Sequence, residues 1–187
     1  VAKTYTTKQL ESLIFHKYFI NYSNRCAFEV HFTDYTHKQV SKVIKGRIDF
    51  VAVDKDGVFT FIEIKQSLSD FKSTTGHNFY GDKNYYAMTR ELFEKVKDKI
   101  PKGIGVMVRD ENDYTENLGF KEFKMVVVKR CGKIQYKMTV KKRAQLRTDM
   151  FTACNSTINR LLREYRCEIT DEDKVAKIYA RGLTQNV

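Results

Sequence analysis

Residues 46–65 read GRIDFVAVDKDGVFTFIEIK, two runs rich in Val, Ile and Phe on either side of Asp54-Lys55-Asp56-Gly57. Apolar, β-branched runs around a turn of this composition predict a β-hairpin. Side chains alternate along a strand, so Glu63 and Lys65 share one face, roughly 6 to 7 Å apart, while Ile62 and Ile64 point the other way. Asp49 interrupts the first apolar run in the same manner. A loop spanning Asp54 to Val58, or a bulge, would set Asp49 across from Glu63. In that register Asp49, Glu63 and Lys65 meet at one spot.

Two carboxylates and an ammonium on otherwise apolar strands are costly to desolvate without compensation. A divalent metal ion supplies it, and hard oxygen ligands suit magnesium, held by one or two carboxylates plus water and phosphate oxygens. Such an ion polarises a phosphodiester and activates its bound water, while a lysine beside it positions the nucleophile or neutralises developing charge. The same triplet also occurs in ordinary hairpins, where the charges form a solvated face or a cross-strand pair.

Asp49 followed fourteen positions later by Glu63-Ile64-Lys65 resembles the signature of the PD-(D/E)xK nuclease superfamily, to which restriction endonucleases and archaeal Holliday-junction resolvases belong. Arg47-Ile48-Asp49, Ile62-Glu63-Ile64-Lys65, Ser69-Asp70-Phe71 and Asp82-Lys83-Asn84-Tyr85-Tyr86-Ala87-Met88 are together similar to the MmcB-like group of DNA-repair endonucleases. The resemblance covers about Thr6 to Arg109. Ile48 stands where the family name has proline, a departure common in the superfamily.

This resemblance implies an α/β fold with a restriction-endonuclease-like core, a central mixed β-sheet flanked by helices. It implies Mg2+ or Mn2+ held by Asp49 and Glu63, with the carbonyl of Ile64 as a further ligand, and Lys65 orienting the attacking water. The implied activity is metal-dependent hydrolysis of DNA phosphodiesters, as an endonuclease of repair, recombination or mobile-element processing. Glu11 is an additional candidate, because in some members a glutamate of the first helix reaches the metal. Gln66 follows the motif directly and could touch phosphate. Lys45, Arg47, Lys72, His77 and Lys83 are candidate nucleic-acid contacts. Two alternatives share the scaffold: a non-catalytic nucleic-acid-binding module, and a nuclease directed at RNA or branched structures.

The rest of the chain is compatible with this expectation. Its 187 residues, 42% hydrophobic and 13% aromatic, suffice for a sizeable core. A formal charge of +11 and a pI near 9.4 point to a polyanionic partner such as DNA. Cys26, Cys131, Cys154 and Cys167 lack zinc-site spacing, and no apolar run approaches a signal peptide or membrane span, which suggests a reducing cytoplasmic setting without membrane attachment. Cutting both strands of a duplex calls for two active sites, so a homodimer is plausible.

The core is expected over residues 6–109, and a C-terminal hairpin and basic helical extension over 110–187. Thr6-x-x-Gln9 reads as a capping box opening a helix over about Thr7 to Tyr18, with Leu10, Leu13, Ile14 and Tyr18 on one stripe. Cys26 to Thr33 reads as a strand and Asp34 to Lys45 as a polar loop. A helix starts at about Ser67 and ends by Gly76; a short strand follows at Asn84 to Thr89, a helix at Arg90 to Ile100 and a buried strand at Ile104 to Val108. Asp110 to Asn117 reads as an acidic surface loop, without the EF-hand glycine and glutamate. Phe123 to Lys129 and Lys133 to Val140 read as a second hairpin, Ala144 to Arg166 as a helix packing through Leu146, Met150, Phe151, Ile158, Leu161, Leu162 and Tyr165, and Asp171 to Ala180 as a short helix before a frayed tail. Arg143, Arg147, Arg160, Arg163 and Arg166 give the long helix a basic surface suited to DNA backbone or to solvent.

Overall fold

The computed structural model describes residues 4–20, 25–34, 44–117, 120–132 and 138–169. Helix α1 (Tyr5–Phe15) precedes strands β1 (Arg25–Asp34), β2 (Ile44–Val53) and β3 (Phe59–Ile64), followed by α2 (Leu68–Lys72), β4 (Lys83–Thr89), α3 (Arg90–Val96), β5 (Gly105–Asn117), β6 (Phe120–Lys129) and α4 (Val140–Ile169). The six strands form one mixed sheet in sequence order. Strands β1 to β3 pair antiparallel, β3 to β5 parallel, and β5 to β6 antiparallel. The fold is therefore α/β, a mixed central sheet flanked by helices. Among the described residues no helix is long and apolar enough to cross a membrane.

One face of the sheet is covered by α1, whose Leu10 and Ile14 are fully buried against Phe50, Ile62, Ala87 and Met107. The other face carries two separate apolar clusters. Leu146 and Met150 of α4 pack on Ala27, Val30, Val51, Phe59 and Phe61, whereas Leu92 and Val96 of α3 pack with Phe71, Tyr86, Met88 and Val108. Glu63 continues the alternation of Phe59 and Phe61 and stands beside Tyr86 of β4. It thus lies at the seam where the two clusters part.

Strands β1 and β2 switch phase together at one point. Ala27 and Val51 belong to the α4 cluster and Phe28 and Phe50 to the α1 cluster, yet Val30 and Ile48 return to the α4 side. The register keeps the same offset on both sides, with Phe28 opposite Phe50 and Val30 opposite Ile48, and the ladder skips Glu29 and Asp49 between them. The switch falls on Glu29, at φ 54°, and on Asp49 across from it. A positive φ is unusual for a residue with a Cβ; here it turns the strand so that both halves bury their apolar side chains.

Several boundaries differ from expectation. The first helix is capped by Thr4, whose hydroxyl accepts the N–H of Thr7, and it begins ahead of the Thr6 box and runs into a π-helical turn over His16–Ile20. Residues 110–117 are not a loop: they extend β5 and pair with β6. Asp110, at the start of the acidic run, stands opposite Lys124 and pairs with Arg90 at 2.6 Å, and opposite charges across a ladder are favourable. The second hairpin among the described residues is β5 to β6; residues 133–137, the greater part of the strand expected to follow Phe123 to Lys129, lie outside the described residues, and Val140 already begins α4. The expected division at Arg109 falls within β5. Phe151, Ile158 and Leu161 of α4 are exposed rather than packed. Arg143 grips the buried Asp82 with two nitrogens, at 2.6 and 2.8 Å, and donates to Gly57 O, so it anchors α4 to the β2–β3 turn. The greater part of the expected loop, at 35–43, the helix at 171–180 and the tail lie outside the described residues, as do the side chains of Leu162, Arg163, Tyr165 and Arg166.

Candidate active site

The loop of the central hairpin decides whether the three motif residues meet. Asp54 Oδ1 accepts the N–H groups of Asp56 and Val58, and Gly57 takes φ 76°, so the chain turns over Asp54 to Val58. Pairing then runs from Val53 opposite Phe59 to Phe50 opposite Ile62. One step further in this register, Asp49 reaches Glu63. Backbone pairing stops there, and Asp49 Oδ2 accepts the N–H of Ile64 at 2.8 Å instead. This side chain caps β3 where the ladder ends.

Glu63 is completely buried. Its Oε1 accepts the N–H of Asn78 at 3.1 Å, while Oε2 has no hydrogen-bond partner among the described residues. Burial, reinforced by the charge of Asp49, pushes the Glu63 carboxyl up to about 8. Burial likewise raises Asp49, opposed by the Ile64 N–H and the charges of Arg47 and Lys65 and assisted by Glu29. An unsatisfied buried carboxylate oxygen is expensive. A divalent cation between the two carboxylates would satisfy it and let both ionise. Among the described residues no three His, Cys, Asp or Glu side chains converge on one point. The donor set is therefore a carboxylate pair, with the Ile64 carbonyl nearby in sequence, which suits a hard ion that keeps water and phosphate oxygens in its shell.

Lys65 leaves β3 on the same face and is 2% exposed. Its ammonium donates to Thr75 O at 3.2 Å and Asp70 O at 3.4 Å, and pairs with Asp70 Oδ1 at 3.6 Å. Gly76, at φ 72°, closes over it: a Cβ there would lie 2.7 Å from Lys65 Nζ and 3.4 Å from Glu63 Oε2. Only glycine permits both this backbone and this approach.

The chain from Ser73 to Asn78 forms the site's wall. His77 joins Ser73 O through Nε2 at 2.8 Å and Tyr86 Oη through Nδ1 at 2.6 Å. A carbonyl only accepts, so Nε2 carries a proton and donates to Ser73 O, while Nδ1 and the Tyr86 hydroxyl share the second bond. Asn78 Nδ2 donates to Arg47 O at 2.9 Å, which ties the wall to β2. His77 thus spends both nitrogens on the wall.

The remaining candidates disperse. Gln66 Oε1 accepts from Thr4 and Thr7, joining the motif to the start of α1. Lys72 is exposed at the end of α2. Lys83 lies opposite Thr60, three residues down the parallel strands from Glu63 and about 10 Å away along them. Lys45 belongs to β2 by its backbone, and its side chain lies outside the described residues. Arg47 pairs with Glu29 at 2.8 Å. Together with Glu11, Phe28, His31 and Arg160 of α4, these two line a groove of about 660 Å³ beside the site. Glu29, Asp70 and Gly76 are not among the sequence candidates, while Asn78 falls in the polar and aromatic run His77 to Tyr80 that the sequence offers as a groove lining. The capping pattern Ser67-x-x-Asp70 is the signal that points toward Asp70, whereas nothing local marks Glu29.

No protein-family description matches the chain, and no curated protein matches it. Among solved structures it is similar to a protein of unknown function from Silicibacter pomeroyi, at 15% identity and a TM-score of 0.58, over 86% of this chain and 93% of that one. At this identity the likeness concerns the fold alone.

Proposed function

We propose that the chain is a metal-dependent nuclease of the PD-(D/E)xK type that hydrolyses phosphodiester bonds in DNA. The observation that carries this reading is Glu63 Oε2, a buried carboxylate oxygen without a partner, set beside a second carboxylate and a buried ammonium. A hairpin stabilised for its own sake would leave such charges in solvent or pair them.

When bound, a divalent ion supplies a polarised phosphate oxygen and an acidified water. Asp49 and Glu63 would hold it. The Ile64 N–H fixes one oxygen of Asp49, and the Asn78 N–H fixes one oxygen of Glu63, leaving the others for the cation. Lys65 is the neighbouring cation able to donate to the attacking water or to an oxygen gaining charge on phosphate. The wall from Ser73 to Asn78 excludes bulk solvent from this spot.

The test is cleavage of labelled duplex, single-stranded, flapped and four-way-junction DNA with Mg2+, Mn2+ or EDTA. Ala replacement of Asp49, Glu63 or Lys65 should abolish metal-dependent cutting yet leave DNA affinity within a few-fold, since contacts to the phosphate backbone elsewhere supply most of it. Cutting retained in all three variants sinks the assignment.

A further inference from the structure

The Lys65 ammonium has two anionic neighbourhoods within reach. Asp49 and Glu63 lie on one side, and Asp70 of α2 with the Thr75 carbonyl of the wall lies on the other. Its contacts are all on the second side, with Asp70 Oδ1, Asp70 O and Thr75 O. Glu63 Oε2 abuts the same glycine, Gly76, as the ammonium, yet it accepts no hydrogen bond. The cation is therefore drawn away from the carboxylate that most needs one.

Asp70 is built to hold this position. Its Oδ2 accepts the N–H of Gln66 at 3.0 Å, its own N–H donates to Ser67 Oγ at 3.1 Å, and its carbonyl also accepts from Ser73 N at 3.2 Å. Two bonds to the turn that follows Lys65, one of them on the carboxylate, and a third to the C-cap of α2 keep Asp70 from following the lysine elsewhere. An ammonium resting on Asp49 and Glu63 would neutralise part of that pair and occupy the oxygens a divalent ion needs.

We propose that Asp70 is a positioning residue that holds Lys65 off the Asp49–Glu63 pair and so keeps both carboxylates open to a divalent cation; this rests on the metal-dependent reading above. It gives the charge beyond the motif a defined part. Lys65 is parked within reach of the reaction but out of competition with the metal.

The test is calorimetric titration of the full chain with Mn2+, at one pH, for the parent, Asp70→Asn, Lys65→Met and the double variant. Asparagine keeps an acceptor for the Gln66 N–H, so the turn is preserved. Asp70→Asn should weaken Mn2+ binding about tenfold in the parent and not at all in the Lys65→Met background, because the competitor is gone. Equal weakening in both backgrounds would mean that Asp70 acts as a distant charge or as a support for α2, and it overturns the proposal, as does no weakening in either. A Glu63→Gln control separates the two readings: Mn2+ binding indifferent to that change removes the metal site itself and both inferences with it.

Discussion

A carboxyl sealed from solvent beside a second carboxylate keeps its proton well into neutral pH, and Glu63, pushed up to about 8 from an ordinary 4.5, is in that position. The folded chain binds this proton more tightly than the unfolded chain does. Its contribution to stability is therefore complete below about 4.5 and is lost as pH rises through 8. In EDTA the melting temperature of the parent should fall across that window, and Glu63→Gln should flatten the fall; scanning calorimetry at several pH values checks this. A parent profile as flat as the variant's would contradict it. Metal binding requires the ionised carboxylate and displaces the proton. Mn2+ should then raise the parent's melting temperature more at about pH 8, the midpoint of the Glu63 transition, than roughly two pH units below it, and it should leave Glu63→Gln unmoved. The motif residues themselves were legible because alternation along a strand is a local rule. Glu29 was not, since its place opposite Asp49 depends on strand pairing across some twenty residues.

Among the elements, the wall from Ser73 to Asn78 and the helix α4 each hang on one residue. Gly76→Ala forces a side chain into a left-handed backbone and toward Lys65 Nζ. It should cost about 1–3 kcal/mol of stability and depress cleavage more than DNA binding, as melting and single-turnover assays would register. Arg143→Ala strands the buried Asp82 carboxylate, which would retain only the Phe59 N–H at 2.8 Å among its named bonds. A loss of about 3 kcal/mol is expected, measured by urea unfolding, and a much smaller effect would mean that α4 is held by its apolar contacts alone. The basic run that begins α4 reads from sequence as a surface for DNA backbone or for solvent, but Arg143 is an internal anchor, while Arg147 stays exposed with its guanidinium over the Phe59 ring. Helix periodicity identified the element and could not say which cations it spends inward. Residues 110–117 misled for a related reason: an acidic run reads as solvated until the strand that pairs with it, and the Arg90 that neutralises Asp110, are known.

At the scale of the whole molecule the formal charge of +11 sets the terms of any encounter with a polyanion. DNA affinity should fall steeply with salt, by a factor of about 10³ or more between roughly 50 and 200 mM if six or more phosphates are neutralised. A fluorescence-anisotropy titration across that range would show it, and a salt-independent affinity would place the recognition in contacts other than phosphate. The sheet itself was largely readable in advance. Apolar alternation, the Asp- and Gly-rich turn and the alternation of strands with helices are local or nearly local signals, and they determined an α/β fold with Asp49, Glu63 and Lys65 on one face of a hairpin. Only the tertiary structure decided that Glu63 and Lys65 are buried, that one Glu63 oxygen goes unpaired, that Asp70 and Thr75 claim the ammonium, and that Lys83 stands at the far end of its strand. Those facts depend on which distant elements cover a face, and burial and pairing are properties of the packed assembly that no window of sequence contains.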